Sequence, residues 1–429
     1  MQVRRKRWPE GWGLLPAPTM ACIMASMPAK HPNRRTLTAR WVFPVSGPPI
    51  PNGIVTICDD LIEAVSESRW CLVDEDLGNA AILPGLVNPH THLDLSGARG
   101  LIPPTDPEHF TDWLRAVIAY RRSRSAEQVA ADIRTGLAEA MRFGTTLLGD
   151  ISAEGQSWDA LVGAPLRATV FWELIGLSDE RAKAAWSVGK AWHAKKPPAP
   201  DTRRGLSPHA PYSAHHSLIA GLSRRSICGT IHLAESPAEM ELIAHRSGPF
   251  VDFLTSLGAW EPKGLIGDVR SVLTGNGDVG KLLLAHCNYI PLPDVACIGF
   301  DMSVVYCPRT HAAFGHPPHP FRELRARGVR VCLGTDGLTS NPDLDPLAEA
   351  RFVHNRYPDF PGDVLLQMIT FAGAMALDWN DQAGSLEPGK SADLVVVPLP
   401  DQEAADPHDL LFADHPGDRR TMFRGQWRE

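Results

Sequence analysis

Eight short apolar runs punctuate the middle of this chain, at residues 81–87, 145–150, 168–174, 204–207, 228–233, 281–285, 302–306 and 329–334. Helix signals lie between most of them. Ser125 and Gln128 form a capping box ahead of a long helical pattern, which Gly144 ends. Ser236, Pro237 and Glu239 mark another helix start, with proline in the first turn. Residues 183–192, 214–223, 346–355 and 362–377 also read as helices. Eight strands alternating with helices predict an α/β fold, a (β/α)8 TIM-type barrel whose chemistry sits at the C-terminal ends of the strands.

The flanks read differently. Residues 36–83 contain short strands at 38–45, 53–58 and 62–65, separated by proline and glycine. Residues 379–429 supply similar material: turn chemistry at 384–393, the β-branched run 394–397 and a short strand at 421–424. The two ends are predicted to pair into one small β-sandwich flanking a barrel at 84–378. Residues 1–35 read as a disordered extension or an overlong start. The basic stretch Arg4 to Arg7 precedes an apolar segment, but Pro16 and Pro18 interrupt it and no clean cleavage pattern follows.

Composition sets the class. Hydrophobic residues make up 44% and charged residues 21%, ordinary for a globular chain, and the net charge of -7 favours neither nucleic acid nor an acidic membrane surface. No apolar run is long enough to span a bilayer. The eight cysteines are scattered without Cys-x-x-Cys spacing, which reads as free thiols in a reducing, cytoplasmic setting. The partner expected is a small-molecule substrate, with a homo-oligomer left open.

Polar residues fall where a barrel would use them. The first run leads into His90-Thr91-His92, and the fourth into Ser207-Pro208-His209. The fifth ends in His232-Leu233-Ala234-Glu235, the sixth in His286 and the eighth in Gly334-Thr335-Asp336. His90 and His92 share one face of an extended strand. Three imidazoles and a carboxylate, His90, His92, His232 and Asp336, suit one divalent ion, Zn²⁺ first and Fe²⁺ second. A water completing that shell would have its pKa lowered towards neutrality. Asp336 can also take that water's proton. Glu235 is placed to protonate a substrate ring nitrogen, and His286 to hydrogen-bond the nucleophile or, alternatively, to bind a second metal. Residues 206–213 hold no lysine to bridge two metals, so a single ion is expected.

This pattern resembles the amidohydrolase superfamily, in its cytosine, guanine and adenosine-type deaminase and chlorohydrolase branch. The motifs that carry the resemblance are Pro84 to His92, His232-x-x-Glu235, His286, Gly334 to Gly337 with Ser340-Asn341, and Gly389-Lys390-x-Ala392-Asp393. It implies addition of hydroxide to an amine-bearing ring carbon and loss of ammonia. It matches the metal ligands to His90, His92, His232 and Asp336, and the proton carriers to Glu235 and His286. Phe110-x-x-Trp113 and Ser207 to Tyr212 resemble the substrate-pocket segments of nucleoside deaminases, which assigns Trp113 and His209 to substrate contact. The segments around Glu235, Glu239 and Arg309 are similar to aminodeoxyfutalosine deaminases of menaquinone biosynthesis, with Arg309 or Arg121 expected to meet a substrate carboxylate. Deamination of S-adenosylhomocysteine, methylthioadenosine or guanine, or hydrolysis of a ring chloride or amide, is the alternative. Thr310-His311 stands where S-adenosylhomocysteine deaminases carry an asparagine-rich segment, which weighs against that substrate.

Overall fold

Eight parallel strands form the centre of the computed structural model: β1 (Leu86–Thr91), β2 (Thr145–Ser152), β3 (Arg167–Leu174), β4 (Thr202–Pro208), β5 (Gly229–Leu233), β6 (Leu282–His286), β7 (Met302–Tyr306) and β8 (Arg330–Leu333). The structure describes residues 33–67, 73–196, 199–223, 227–274, 280–415 and 417–428. Each strand pairs with the next in chain order. The seam between β8 and β1 is closed beyond the end of β8, where the Asp336 N–H donates to the His90 carbonyl at 3.0 Å. One rung below, the Asn88 side chain stands in for backbone. Its Nδ2 donates to Thr335 Oγ1 at 2.8 Å, and its Oδ1 accepts from the Thr335 N–H at 3.1 Å.

The predicted first strand, 81–87, is two strands. Ala80–Pro84 pairs antiparallel with Leu394–Pro398 in a sheet built from both chain ends, and only from Leu86 does the chain enter the barrel. Gly85 makes the change of direction. Its N–H donates to the Asp393 carbonyl at 2.9 Å, and a Cβ there would overlap the Thr146 side chain. The expected helix over 362–377 is also two, Gly362–Met368 and Phe371–Ala376. The break has a tertiary cause. The Ile369 carbonyl accepts from the Val87 N–H of β1 at 2.9 Å, and the Thr370 hydroxyl bonds the Leu366 carbonyl at 2.6 Å. The other helix signals hold. Ser125 and Gln128 cap Ala126–Arg142 reciprocally, and Ser236 caps Pro237–His245.

Two further sheets flank the barrel strands in sequence, one of four strands drawn from residues 34–76 alone and one of six that combines both chain ends. Leu37, Val55 and Ile57 from the N-terminal side share a core with Leu394, Val396 and Met422 from the C-terminal side. Arg167, buried at the start of β3, ties this region to the barrel. It is ion-paired with Asp393 and lies over the Phe423 ring at 5.1 Å. Of the predicted 1–35 extension, residues 1–32 lie outside the described residues, whereas Arg34 already begins a strand. The six described cysteines are free thiols. No described helix is long and apolar enough to cross a membrane.

The close packing at the Gly85 bend predicts that Gly85→Ala lowers stability by about 1–3 kcal/mol. Thr146→Ala in the same chain should recover part of the loss. Thermal unfolding of the single and double variants checks this; equal midpoints for wild type and Gly85→Ala would refute it.

Candidate active site

The chain turns sharply at the C-terminal rim of the barrel, and each turn aims a polar side chain at the axis. His90 is the fifth residue of β1, and His92 follows the strand end. Their rings stand perpendicular, with centroids 5.1 Å apart. The turn between them is pinned from behind by Asp150 at the end of β2. Its Oδ1 accepts from Thr91 Oγ1 at 3.0 Å and from the Leu93 N–H at 2.9 Å. Burial raises the Asp150 carboxyl to about 7.

His232 comes from β5 and Asp336 from the turn after β8. Asp336 Oδ1 lies 3.4 Å from His90 Nε2 and 3.5 Å from His92 Nε2, while the His92 and His232 Nε2 atoms are 3.2 Å apart. Nδ1 of His232 donates to the His209 carbonyl at 2.8 Å, which assigns the tautomer and leaves Nε2 with a free lone pair. Burial, reinforced by the neighbouring imidazoles, holds His92 and His232 well below the usual imidazole range. Both nitrogens of His90, Nδ1 of His92 and Nε2 of His286 are buried without a hydrogen-bond partner among the described residues.

Orphaned ring nitrogens are costly in a protein interior unless something else satisfies them. Ligand atoms of His90, His92 and His232 lie within 4.8 Å of one another, as do those of His90, His286 and Asp336. Neutral imidazole lone pairs converging on a carboxylate form a donor set that fits a borderline divalent cation. His90, His92, His232 and Asp336 are the residues that would hold it.

Glu235 stands beside this cluster. The turn that carries it passes through Ala234 in a left-handed conformation (φ 51°) and is clamped by Glu239. Glu239 accepts from the Ala234 N–H at 3.0 Å and from the Glu235 N–H at 2.8 Å, while Asn288 Nδ2 donates to the Glu235 carbonyl at 2.9 Å. Burial, with the nearby Asp336 and Glu239 charges, pushes the Glu235 carboxyl well above the usual carboxylate range. Nε2 of His286 lies 3.3 Å from Glu235 Oε1.

His92, His232, Glu235 and Asp336 line the base of a cavity of about 260 Å³. Trp113, Leu114, Tyr212 and Phe253 line it with apolar surface, and His209 lines it beside the histidine cluster. Trp113 and His209, the two residues expected to contact substrate, both line this cavity. Arg309 does not. It lines no part of this cavity, and its guanidinium is taken up by Asp343 at 2.6 Å and Glu349 at 2.7 Å. Arg121 does line the cavity but is held by Asp94 at 2.8 Å and Glu173 at 3.4 Å. Sequence reasoning missed Arg181, an exposed lining residue that no carboxylate among the described residues pairs with. It also missed Asp150 and Glu173. The available signal was that these acids close the second and third apolar runs, as the histidines close others.

The chain is similar to known proteins in both sequence and fold. The sequence profile of the amidohydrolase family matches residues 81–428. A 5-methylthioadenosine/S-adenosylhomocysteine deaminase of Moorella thermoacetica is 30% identical over 409 residues, covering 89% of this chain and 90% of that one. An aminodeoxyfutalosine deaminase of Nitratiruptor is 26% identical over 335 residues, covering 75% and 80%. Among solved structures, aminofutalosine deaminase of Helicobacter pylori in complex with methylthio-coformycin superposes with a TM-score of 0.79 at 22% identity, covering 92% of this chain and all of that one.

The donor set predicts one divalent ion per chain, and its loss in His90→Ala and His232→Ala. Elemental analysis of the purified proteins checks this. A well-folded wild type that retains no divalent ion after reconstitution would overturn the assignment.

Proposed function

The chain belongs to the amidohydrolase family, and from that premise we propose that it is a metal-dependent aminohydrolase of 6-aminopurine nucleoside derivatives, with aminodeoxyfutalosine as first substrate. One observation carries the reading: Glu235, whose carboxyl burial pushes well above the usual carboxylate range, sits beside a three-histidine and aspartate cluster at the base of an apolar-walled cavity. Zn²⁺ is the ion this donor set suits best. His90, His92, His232 and Asp336 would hold it, and when bound it would lower the pKa of a water towards neutrality and so make the nucleophile available.

The chain's own residues do the rest. Trp113 and Leu114 pack the purine ring in the cavity, and His209 binds a polar atom of the base or sugar. Glu235 donates its proton to the ring nitrogen beside the amine-bearing carbon and so makes that carbon electrophilic. His286 hydrogen-bonds the incoming oxygen on the side facing Glu235. Asp336 takes the proton released by the water and passes it to the exocyclic amine; as the C–N bond breaks and ammonia leaves, the added oxygen becomes the ring carbonyl and its remaining proton returns to Glu235.

Arg181 supports a carboxylated substrate. It occupies the first turn of the helix Asp179–His193, where a cation opposes the helix dipole while Asp179 and Glu180 complement it. Helix stability does not explain an arginine there; an anion at the cavity wall does. Arg121, already held by two carboxylates, offers hydrogen-bond donors but little net charge. Aminodeoxyfutalosine and S-adenosylhomocysteine both carry a carboxylate away from the purine, whereas methylthioadenosine carries none. S-adenosylhomocysteine is therefore the second reading, favoured by the Moorella relative. The first reading carries with it a place in menaquinone biosynthesis and a cytoplasmic location.

Zinc-loaded protein incubated with aminodeoxyfutalosine, S-adenosylhomocysteine, methylthioadenosine and adenosine should release ammonia, with the highest kcat/KM on the first. Glu235→Gln should lose about 10²–10⁴-fold in kcat. Arg181→Gln should raise KM for the carboxylated substrates and leave methylthioadenosine unaffected. Absence of ammonia from all four would defeat the deaminase reading, and an equal Arg181→Gln effect on methylthioadenosine would defeat the carboxylate assignment.

A further inference from the structure

Arg309 faces away from the substrate cavity, and its partners lead back to the site by another route. It is the second residue of the helix Pro308–Ala313, directly after β7. Its Nε donates to Glu349 Oε1 at 2.7 Å, and its backbone N–H donates to Glu349 Oε2 at 2.9 Å. Asp343 takes the far edge of the guanidinium. Glu349 is fully buried in the first turn of Pro346–Arg356. Asn341 joins it to the β8 turn. Its Nδ2 donates to Glu349 Oε1 at 2.6 Å and to the Thr335 carbonyl at 2.6 Å. Both neighbours are acceptors, so the amide must present nitrogen here, with one hydrogen for each.

The Thr335 carbonyl belongs to the same peptide unit as the Asp336 N–H. That N–H donates to the His90 carbonyl, so the peptide is gripped at both poles. Thr310 Oγ1 reinforces the oxygen side at 3.3 Å. Asp336 itself is in the left-handed region (φ 63°). For a residue other than glycine that conformation is sparsely populated, and here it is held by contacts on both sides of the peptide. Without Asn341 the peptide oxygen keeps only the longer Thr310 contact, which leaves the Asp336 carboxylate positioned from this side by Ser340 Oγ alone, at 3.1 Å from Oδ2.

We propose that the Arg309–Glu349–Asn341 relay is a positioning device that holds the Thr335–Asp336 peptide, and through it the Asp336 carboxylate, in metal-binding orientation. The proposal rests on the reading of Asp336 as a ligand. Arg309 touches neither substrate nor ion in this role. It supplies a planar fork, which a lysine's single ammonium does not replace.

The test is zinc affinity of the apo-protein, measured by competition with a chromophoric chelator, for wild type, Arg309→Lys, Asn341→Ala and the double variant. Thermal unfolding of the apo-proteins separately reports any general loss of stability. Each single variant should bind zinc about 10–100-fold more weakly, the range for residues that orient ligands from behind. The double variant should be little worse than the weaker single one, because both act on one relay. Folded variants with lower unfolding temperatures but wild-type zinc affinity would show a merely structural pair and overturn the proposal. Multiplying losses in the double variant would overturn it too. If Arg309→Lys fails to fold, Asn341→Ala decides alone. A wild type that binds no zinc would overturn the metal reading and this proposal together, whereas zinc-binding wild type with matching variants overturns the relay only.

Discussion

The peptide linking Thr335 to Asp336 is where architecture and chemistry coincide. Its N–H closes the barrel on the His90 carbonyl, and the same contact places the Asp336 carboxylate against the His90 and His92 rings. Strand β8 is only four residues long and does not itself pair with β1. The seam is therefore carried by residues outside the regular ladder, with Asn88 copying a backbone rung through its side-chain amide. A barrel closed this way cannot shut without assembling part of the donor set.

One physical cause then sets two opposite protonation states. Burial disfavours whichever form of a group carries charge. For His92, His232 and His286 the charged form is the protonated one, so burial leaves bare ring nitrogens. For Glu235 the charged form is the deprotonated one, so burial leaves the proton on. Burial thus pushes the imidazoles and the carboxyl of one rim in opposite directions, without a separate device for each. The Asp336 charge adds to the effect on Glu235, since two neighbouring carboxylates resist ionising together.

Much of this was legible in the chain because strand ends leave a chemical mark. His90, His92, His232, His286 and Asp336 each close an apolar run, and the structure brings all five to one rim. What was illegible depends on contacts between distant segments. The run 81–87 reads as continuous because the bend at Gly85 is imposed by Thr146 and the Asp393 carbonyl. The break at Thr370 is invisible because β1 claims the Ile369 carbonyl. Arginines are the hardest case. Whether a guanidinium is free for substrate depends on where acids fall in space: Arg309 meets Glu349 and Asp343, Arg121 meets Asp94 and Glu173, and Arg181 meets none among the described residues. Residue type and spacing do not separate these three.

Strain at the rim follows the same logic of convergence. Ala234, His286, Cys287 and Asp336 all adopt left-handed backbone conformations just where β5, β6 and β8 end. A strand leaving the barrel without such a turn would carry its next side chains outward, away from the axis. The left-handed step folds them back, at a cost of about 1–2 kcal/mol for each non-glycine residue. Each step is braced by a group from elsewhere in the chain. Glu239 holds the Ala234 turn, His319 bonds the His286 carbonyl at 2.7 Å, and Asn341 with Thr310 holds the peptide before Asp336. Glycine would relieve the strain at any of these positions, but at two of them it would remove the side chain that the turn exists to deliver. At those two, His286 and Asp336, side-chain identity and backbone direction are both required, and the braces from His319, Asn341 and Thr310 hold the backbone that delivers them.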